Sequence, residues 1–287
     1  MVGDQARPSL DRTRADARRR WVLYGLGVAV LGALVWGGFL WKPEADIGTL
    51  INAAEIQIKV GLYAEGLAVA KRALALEPDD GYANLLAATA HQGLGQWDDA
   101  LDRYARAEQA YPDAERRRAI RVAALGCVAR AGRHDDVERG AAALLEGSHS
   151  EDPDVRMILG ASREDRGDIE GAITAYEGAR VDGAVPAPHL FASAAVLAGA
   201  GRTSVAIERL ERGLVTENRA APAWILLARL RLEAGADDEA VRAIARAADL
   251  DLLRAREEVR RTDLWNPLRE REVLAPLFAA RGPGAKN

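Results

Sequence analysis

The sequence contains very few of the residues on which most catalytic and metal sites depend. Cys127 is its only cysteine, so neither an intrachain disulfide nor a thiolate metal cage can form. The four histidines, His91, His134, His149 and His189, stand apart, and no zinc-protease motif, phosphate-binding glycine loop or serine-hydrolase elbow occurs. From these absences we predict no catalytic residue, no metal, no cofactor and no enzymatic activity.

The chain also has no excess of positive charge, since its formal net charge is −4. Residues 1–20 carry six arginines and three aspartates, which leaves 33 of the 39 basic residues and 40 of the 43 acidic residues for the rest. Nucleic-acid binding needs a basic surface. The acidic main part of the chain therefore argues against a nucleic-acid partner.

One long apolar run lies near the N-terminus. Residues 21–41 include no charged side chain, and a helix of that length spans about 30 Å, the thickness of the hydrocarbon core of a bilayer. We therefore predict a transmembrane helix at 21–41, preceded by a disordered tail at 1–20. The positive-inside rule places the tail in the cytoplasm and the rest of the chain on the periplasmic side of the inner membrane. A cleaved signal peptide is the alternative, although its apolar region would be only about 7–15 residues long.

Small residues recur every four positions on one face of this predicted helix, at Gly25, Ala29, Ala33 and Gly37. Such a row lets two membrane helices approach closely, which predicts self-association through the membrane helix. The alternative is that glycine and alanine are simply common in this stretch. The linker at 42–46 reaches at most about 20 Å, so we expect the following domain to sit against the membrane.

Most of the remaining chain repeats a helix–turn–helix pattern. At residues 81–114, apolar residues at helical spacing form two short stripes, separated by a turn and ended by Pro112. The turn glycine recurs at intervals of 34, 37, 35, 34 and 34 residues, at Gly61, Gly95, Gly132, Gly167, Gly201 and Gly235. A hairpin of this size cannot bury its apolar faces alone, so it needs neighbouring copies.

The pattern resembles the tetratricopeptide repeat, a helix–turn–helix unit of about 34 residues. The family has a small residue five positions after the turn glycine, and four copies have alanine there: Ala100, Ala172, Ala206 and Ala240. Four positions further, where the family has an aromatic ring, only Tyr104 and Tyr176 match. The resemblance implies an all-α protein in which the single N-terminal transmembrane helix is followed by a tetratricopeptide-like α-solenoid of about six repeats at 47–254. Because extra residues precede the third copy, we expect the superhelix geometry to change near 113–118.

The segment after the last repeat is predicted to close the stack. Residues 250–261 continue as a helix with Leu252, Leu253 and Val259 on one side. An open solenoid end exposes its core, so we predict that residues 255–280 form a cap and that residues 281–287 are a disordered tail. A partner-binding tail is the alternative for this segment.

The resemblance also implies a concave face lined by the first helix of each repeat. Many of the family's groove positions hold alanine or glycine in this chain. The larger side chains at those positions are Ile51, Glu55, Tyr82, Leu85, Gln92, Val122, Arg130, Met157, Glu164, Phe191, Ile225 and Arg229. A partly apolar groove marks a binding site. The alternative is that several of these residues pack between helices.

The resemblance implies a protein that works by binding. In layout the chain is similar to membrane-anchored repeat proteins, so we expect a scaffold or assembly factor for a membrane complex that binds protein partners through the concave face. The alternative is a chaperone-like accessory that holds unfolded exported chains. A subunit associated with an enzyme, or a cryptic enzyme, is the third hypothesis.

Overall fold

The structure is a computed structural model that describes residues 46–279, which fold into α-helices and short 3₁₀ turns. Twelve α-helices form six consecutive pairs. They are α1 (Ile47–Lys59), α2 (Tyr63–Leu76), α3 (Gly81–Gly93), α4 (Trp97–Ala110), α5 (Ala114–Arg130), α6 (His134–Leu144), α7 (Pro153–Asp165), α8 (Ile169–Glu177), α9 (Ala187–Gly199), α10 (Thr203–Thr216), α11 (Ala221–Glu233) and α12 (Asp237–Leu250). Two further helices follow, α13 (Leu252–Arg261) and α14 (Ala275–Phe278), with 3₁₀ turns at Asp263–Leu268 and Glu272–Leu274 between them.

The six turn glycines end the first helix of each pair in the same way. Each has a φ angle between 71° and 84°. In each turn the N–H of the residue after the glycine donates to the carbonyl five positions earlier, as Arg202 does to Leu197 at 2.9 Å. This is the Schellman motif, which satisfies carbonyls at a helix end and requires a left-handed residue. Glycine adopts that conformation without steric cost, so the spacing of the glycines sets the spacing of the helix ends.

The first helices of the pairs form the inner row of the stack. Contacts join α1 to α3, α5 to α7, α7 to α9 and α9 to α11, whereas the second helices contact one another at most marginally. Helices on the inner side of a curved stack lie closer together than those outside. The first helices therefore line the concave face of the solenoid.

Buried alanines allow the helices to cross closely. The four alanines at the predicted small position, Ala100, Ala172, Ala206 and Ala240, have no exposed surface. The rings of Tyr104 and Tyr176 are also buried. Since protein cores are close-packed, a larger side chain at the alanine positions would force the helices of a pair apart.

The third repeat contains the extra residues seen in the glycine spacing. Helix α5 has 17 residues and begins one turn earlier than the other first helices, which have 13 residues. The Asp113 carboxylate caps this extra turn by accepting from the N–H groups of Glu115 and Arg116. Only at this junction do successive first helices, α3 and α5, make no more than marginal contact. The expected change of superhelix geometry near 113–118 remains a prediction.

In the fourth repeat the second helix is short. Helix α8 ends at Glu177. In the other repeats the position equivalent to Ala179 is a residue of the second helix, whereas Ala179 lies in the connection after α8. Ala179 is nevertheless buried. That connection reverses at Asp182 and Gly183, whose φ angles are 52° and 79°. Two successive residues with positive φ form a tight reversal, which takes the place of the last helical turn.

The C-terminal segment packs on the end of the last repeat. Trp265, Leu274 and Leu277 have at most 1% of their surface exposed and lie in one cluster with Ile244 of α12. The Arg256 guanidinium donates to the Pro276 carbonyl at 2.9 Å, which holds α14 against α13. Helix α13 begins two residues later than the predicted helix, and of the three residues predicted on its apolar side only Val259 is buried. Leu252 and Leu253 remain exposed because α13 turns a different face toward the core.

No helix in the described part of the chain is long and apolar enough to cross a membrane. The longest, α5, would span about 25 Å, against about 30 Å of hydrocarbon, and it carries five arginines. This finding contradicts the prediction of a single-pass inner-membrane protein with its repeats on the periplasmic side. The residues to which that prediction was tied, 1–45 with Gly25, Ala29, Ala33 and Gly37, lie outside the described residues, as does the predicted tail at 281–287.

Candidate functional site

The twelve predicted groove residues all lie on first helices, from α1 to α11. Ile225 is the one classed as buried, with 9% of its surface exposed. Tyr82, Arg130 and Glu164 are exposed, and the remaining eight are half-buried. The alternative of packing between helices therefore applies most strongly to Ile225. A binding role for the set remains a prediction.

Two of the predicted groove residues are held by tyrosines of the adjoining second helix. The Tyr104 hydroxyl donates to Gln92 Oε1 at 2.7 Å, and the Tyr176 hydroxyl donates to Glu164 Oε2 at 2.9 Å. Each tyrosine lies twelve residues after its partner. Burial raises the pKa of the Tyr176 hydroxyl, and the hydrogen bond to Glu164 raises it further, so it remains a donor at neutral pH. Both groove side chains are thus fixed before any partner binds.

The N-terminal end of the concave face carries a second polar group. Lys59 Nζ lies 2.5 Å from Glu55 Oε1, and Tyr82 is on the next first helix. The hydrogen bonds from Lys59 and Tyr82 lower the pKa of Glu55. Glu55, one of the predicted groove residues, is therefore paired with a lysine of its own helix.

A wide groove lies at the other end of the concave face. It has a volume of about 920 Å³ and opens between α9, α11 and α13. Its floor is apolar and built largely from small residues, among them Ala195, Ala198 and Gly199, with Ile225 and Leu226 beside them. Arg229 stands at its edge, so two of the predicted groove residues line it.

Helix α13 supplies the third wall of this groove, which sequence reasoning missed. Arg254, Glu257, Glu258 and Arg261 line it from one face of that helix. Their spacing of three, one and three residues is the helical signal that would have identified a shared face. The prediction treated residues 255–280 only as a cap, whereas α13 both covers the last repeat and borders the groove.

Three of the four histidines have hydrogen-bond partners, and the cysteine is buried. His91 Nδ1 lies 2.7 Å from Gln96 Oε1, His134 Nδ1 lies 2.9 Å from Ser162 Oγ, and His189 Nε2 donates to the Pro153 carbonyl at 2.8 Å. Burial raises the pKa of the Cys127 thiol, which lowers its thiolate fraction and its nucleophilicity. Within residues 46–279 no group of three or more histidine, cysteine, aspartate or glutamate side chains is placed to hold a metal ion.

Solved structures with the same architecture are numerous, although no family model and no curated protein matches the chain. Yeast Tom70 superposes with a TM-score of 0.61 and 21% identity over 80% of this chain and 49% of Tom70. A tetratricopeptide repeat protein from Parabacteroides merdae gives 0.57 and 14% identity over 91% of this chain and 97% of its own. A chain of the APC/C hetero-tetramer Cut9–Hcn1 gives 0.54 and 14% identity over 79% of this chain and 45% of its own.

This chain thus spans about half the length of Tom70. At these identities the similarity concerns the fold and leaves partners and activity open. It agrees with the repeated turn glycines, the buried alanines and the row of first helices described above. The chain therefore has the fold of the tetratricopeptide-repeat proteins, and the prediction of that fold from its sequence is confirmed.

Proposed function

We propose that this protein is a scaffold that binds segments of partner proteins in its concave groove and holds them while a complex assembles. The observation that carries the proposal is the open groove of about 920 Å³ between α9, α11 and α13. Its volume is within the usual range for ligand sites. Because its floor is apolar and its rim is charged, it suits a peptide segment with both kinds of side chain.

Small residues give this face the shape of a channel. Gly126, Ala161 and Ala195 occupy equivalent positions on α5, α7 and α9, six residues before their turn glycines. Side chains this short let a bound backbone approach the helices closely. The larger residues Val122, Met157 and Phe191 lie one turn earlier on the same helices and would contact side chains of the bound segment.

A second argument comes from the fixed polar groups. Gln92 and Glu164 are held by tyrosines, so little side-chain entropy is lost when a partner binds to them. The fold similarity to a chain of Cut9–Hcn1, which is itself an assembly of proteins, is consistent with a binding role.

The proposal is tested by selecting short random peptides on the full-length protein. Selected peptides should bind the Ala195→Trp variant at least about tenfold more weakly, a change of about 1.4 kcal/mol, because the indole would fill the groove floor. Ala195 is exposed, so the substitution leaves the core intact. The matched control is Ala142→Trp, an exposed alanine of α6 that does not line the groove. Peptides that bind both variants equally would contradict the proposal.

The same selection separates the scaffold from the chaperone-like alternative, which the smooth apolar floor also favours. A scaffold for defined partners should enrich one related set of sequences. A holder of unfolded chains should enrich apolar sequences without a common motif, while still losing affinity in Ala195→Trp.

A further inference from the structure

One carboxylate at the end of the groove lacks part of its hydrogen bonding. Glu258 of α13 is only 7% exposed and lines the groove, and its Oε1 atom has no hydrogen-bond partner among residues 46–279. Within the same residues, the Thr262 hydroxyl, one turn further on and also at the groove, is likewise buried without a partner. Buried polar groups in native proteins are normally paired, so these two atoms point to a missing hydrogen-bond donor.

The one ion pair that Glu258 makes in the described part of the chain is weakly placed. Its Oε2 atom accepts from Arg261 at 3.2 Å, but the Arg261 side chain is 61% exposed. A solvated guanidinium is screened by water and compensates a buried carboxylate poorly. The carboxylate therefore retains much of the free-energy cost of its burial.

The other charged groups at the groove do not change this balance. Arg229, Glu233, Arg254 and Glu257 also line it, and the formal charges of the three arginines and three glutamates cancel. Arg229 and Glu233 lie within 4.0 Å of each other. Glu258 is the only one of the six that is buried. Since burial strengthens electrostatic interactions, the buried carboxylate dominates what the groove end can recognise.

We propose that this end of the groove binds a lysine or arginine side chain of the partner segment, with Glu258 as its acceptor. This inference rests on the proposed function and names the chemistry of the partner. The final torsion of a glutamate side chain has a broad and roughly two-fold preference, so either carboxylate oxygen can face the groove after a half-turn. Apolar side chains next to the cation would pack on Ala198, Ile225 and Leu226 of the floor.

Other side-chain classes satisfy the site less well. An acidic side chain would add a second negative charge beside a buried one and would be repelled. A neutral amide supplies a donor but leaves the carboxylate charge uncompensated. A lysine or arginine supplies both the donor and the charge, in the form of a charge-assisted hydrogen bond.

The test uses the groove-dependent peptides selected on the full-length protein. These peptides should share a lysine or arginine at one position. Replacing that residue by norleucine should weaken binding to the unaltered protein by at least about tenfold, and should change binding to Glu258→Gln by less than about twofold. Glu257→Gln is the matched control, since Glu257 lines the same groove but is exposed, and it should keep the full tenfold effect.

A second variant covers the case in which Glu258→Gln lowers the thermal midpoint. Arg261 competes with the incoming cation for Glu258, and its side chain is mostly exposed. Arg261→Ala should therefore strengthen binding of the cationic peptides and leave their norleucine forms unaffected. An unchanged affinity in this variant would count against the inference.

The outcomes distinguish the two proposals. Groove-dependent peptides without a preferred cation, or with a norleucine effect that persists in Glu258→Gln, would overturn this inference and leave the scaffold standing; Glu258 would then be satisfied by water alone. Peptides that bind Ala195→Trp as tightly as the unaltered protein would overturn the proposed function and this inference together.

Discussion

At the scale of single residues, three chemically different side chains make the same hydrogen bond in the second, fourth and sixth repeats. Asn84, Arg156 and Trp224 each stand eleven residues before a turn glycine. Each donates from a side-chain nitrogen to the carbonyl six residues earlier, at 3.0, 2.8 and 2.9 Å. The bond ties the connection between repeats to the start of a first helix. Sequence comparison misses this hydrogen bond because the three residues have only one property in common. Each has a side-chain N–H group within reach of the carbonyl at the equivalent position of its repeat.

Of the three side chains, Asn84 depends most on its hydrogen bonds, because it is fully buried. Its Nδ2 donates to the carbonyls of Pro78 and Asp80, and its Oδ1 accepts from Arg103. Asn84→Asp keeps the shape and the Arg103 contact but removes both donors and sets a carboxylate against two carbonyl oxygens. We expect the free energy of unfolding to fall by about 2 kcal/mol, measured by urea denaturation.

The control for this substitution is Asn52→Asp on α1, where the side chain is exposed. This control should change the unfolding midpoint little. Equal midpoints for Asn84→Asp and the unaltered protein would show that the paired donors contribute nothing.

The tyrosine anchors were within reach of sequence reasoning. Tyr104 and Tyr176 were the only aromatic matches to the family, and each lies twelve residues after a predicted groove residue. A polar residue at that spacing from a buried tyrosine is a natural partner for its hydroxyl. By contrast, the burial of Glu258 depends on how α13 lies across α11, which no local pattern reports.

At the scale of the elements, helix starts and helix ends follow different rules. Asp46, Asp80, Asp113 and Asp152 cap the first helices of the first four repeats through their carboxylates. In the last two repeats a proline in the first turn, Pro188 or Pro222, takes this place, since the first-turn N–H has no helical partner. The ends vary less, because every first helix closes on the same glycine turn.

The glycine turn at the end of α9 contains two glycines, two residues apart, whose substitution can be compared directly. Gly201 has a φ of 75°, whereas Gly199 is the last residue of α9 and has an ordinary helical backbone. A Cβ added at either position meets nothing within 4 Å. Gly201→Ala should lower the free energy of unfolding by about 1–2 kcal/mol through backbone strain alone.

Gly199→Ala should instead be neutral or raise the free energy of unfolding by up to about 1 kcal/mol, because alanine favours the helix. Thermal denaturation of both variants checks the opposite signs. Destabilisation of the same size in both would mean that side-chain contacts, and not the φ angle, decide the effect.

The lengths of the elements were less predictable than their number. The spacing of 37 residues before Gly132 indicated extra chain in the third repeat, but not that it would lengthen α5 by one turn. The early end of α8 was hidden, because its repeat keeps the usual spacing of 34 residues up to Gly201. In both cases neighbouring helices decide the outcome, and the local pattern allows either.

At the scale of the whole molecule, the core is divided into separate clusters. The largest joins the last two repeats with α13 and the C-terminal turns, and a second one holds the first repeat and α3. In a repeat stack each unit contacts mainly its neighbours, so stability is a sum of local terms. Different parts of this chain should therefore open at different free energies.

Trp265 tests this division, because it is fully buried in the C-terminal cluster. Trp265→Ala should destabilise that end by about 3–5 kcal/mol. Amide hydrogen exchange should then lose protection in α11–α13 and stay unchanged in α1–α4.

Leu253→Ala is the control for this substitution, because Leu253 is 69% exposed. It should leave exchange unaltered at both ends. Uniform loss of protection along the chain in Trp265→Ala would indicate one cooperative unit instead of separate ones.

The sequence correctly predicted the repeat fold, whereas the prediction of a single-pass membrane protein was wrong. Six glycines at a near-constant period fix a stack of hairpins, because each turn needs the same backbone conformation. The membrane prediction rested on one apolar run outside the described residues, and none of the described helices supports it. The groove wall from α13 was missed because a cap and a binding surface have the same amphipathic pattern.

The double use of α13 limits how this protein can change in length. One side of the helix closes the stack and the other borders the groove, so a seventh hairpin inserted before it would carry Glu258 away from α9 and α11. Growth by duplication at this end would separate the third wall of the groove from the other two in the same step. Variants of the architecture should therefore gain or lose hairpins upstream, while the last two and their closing helix are inherited as a block.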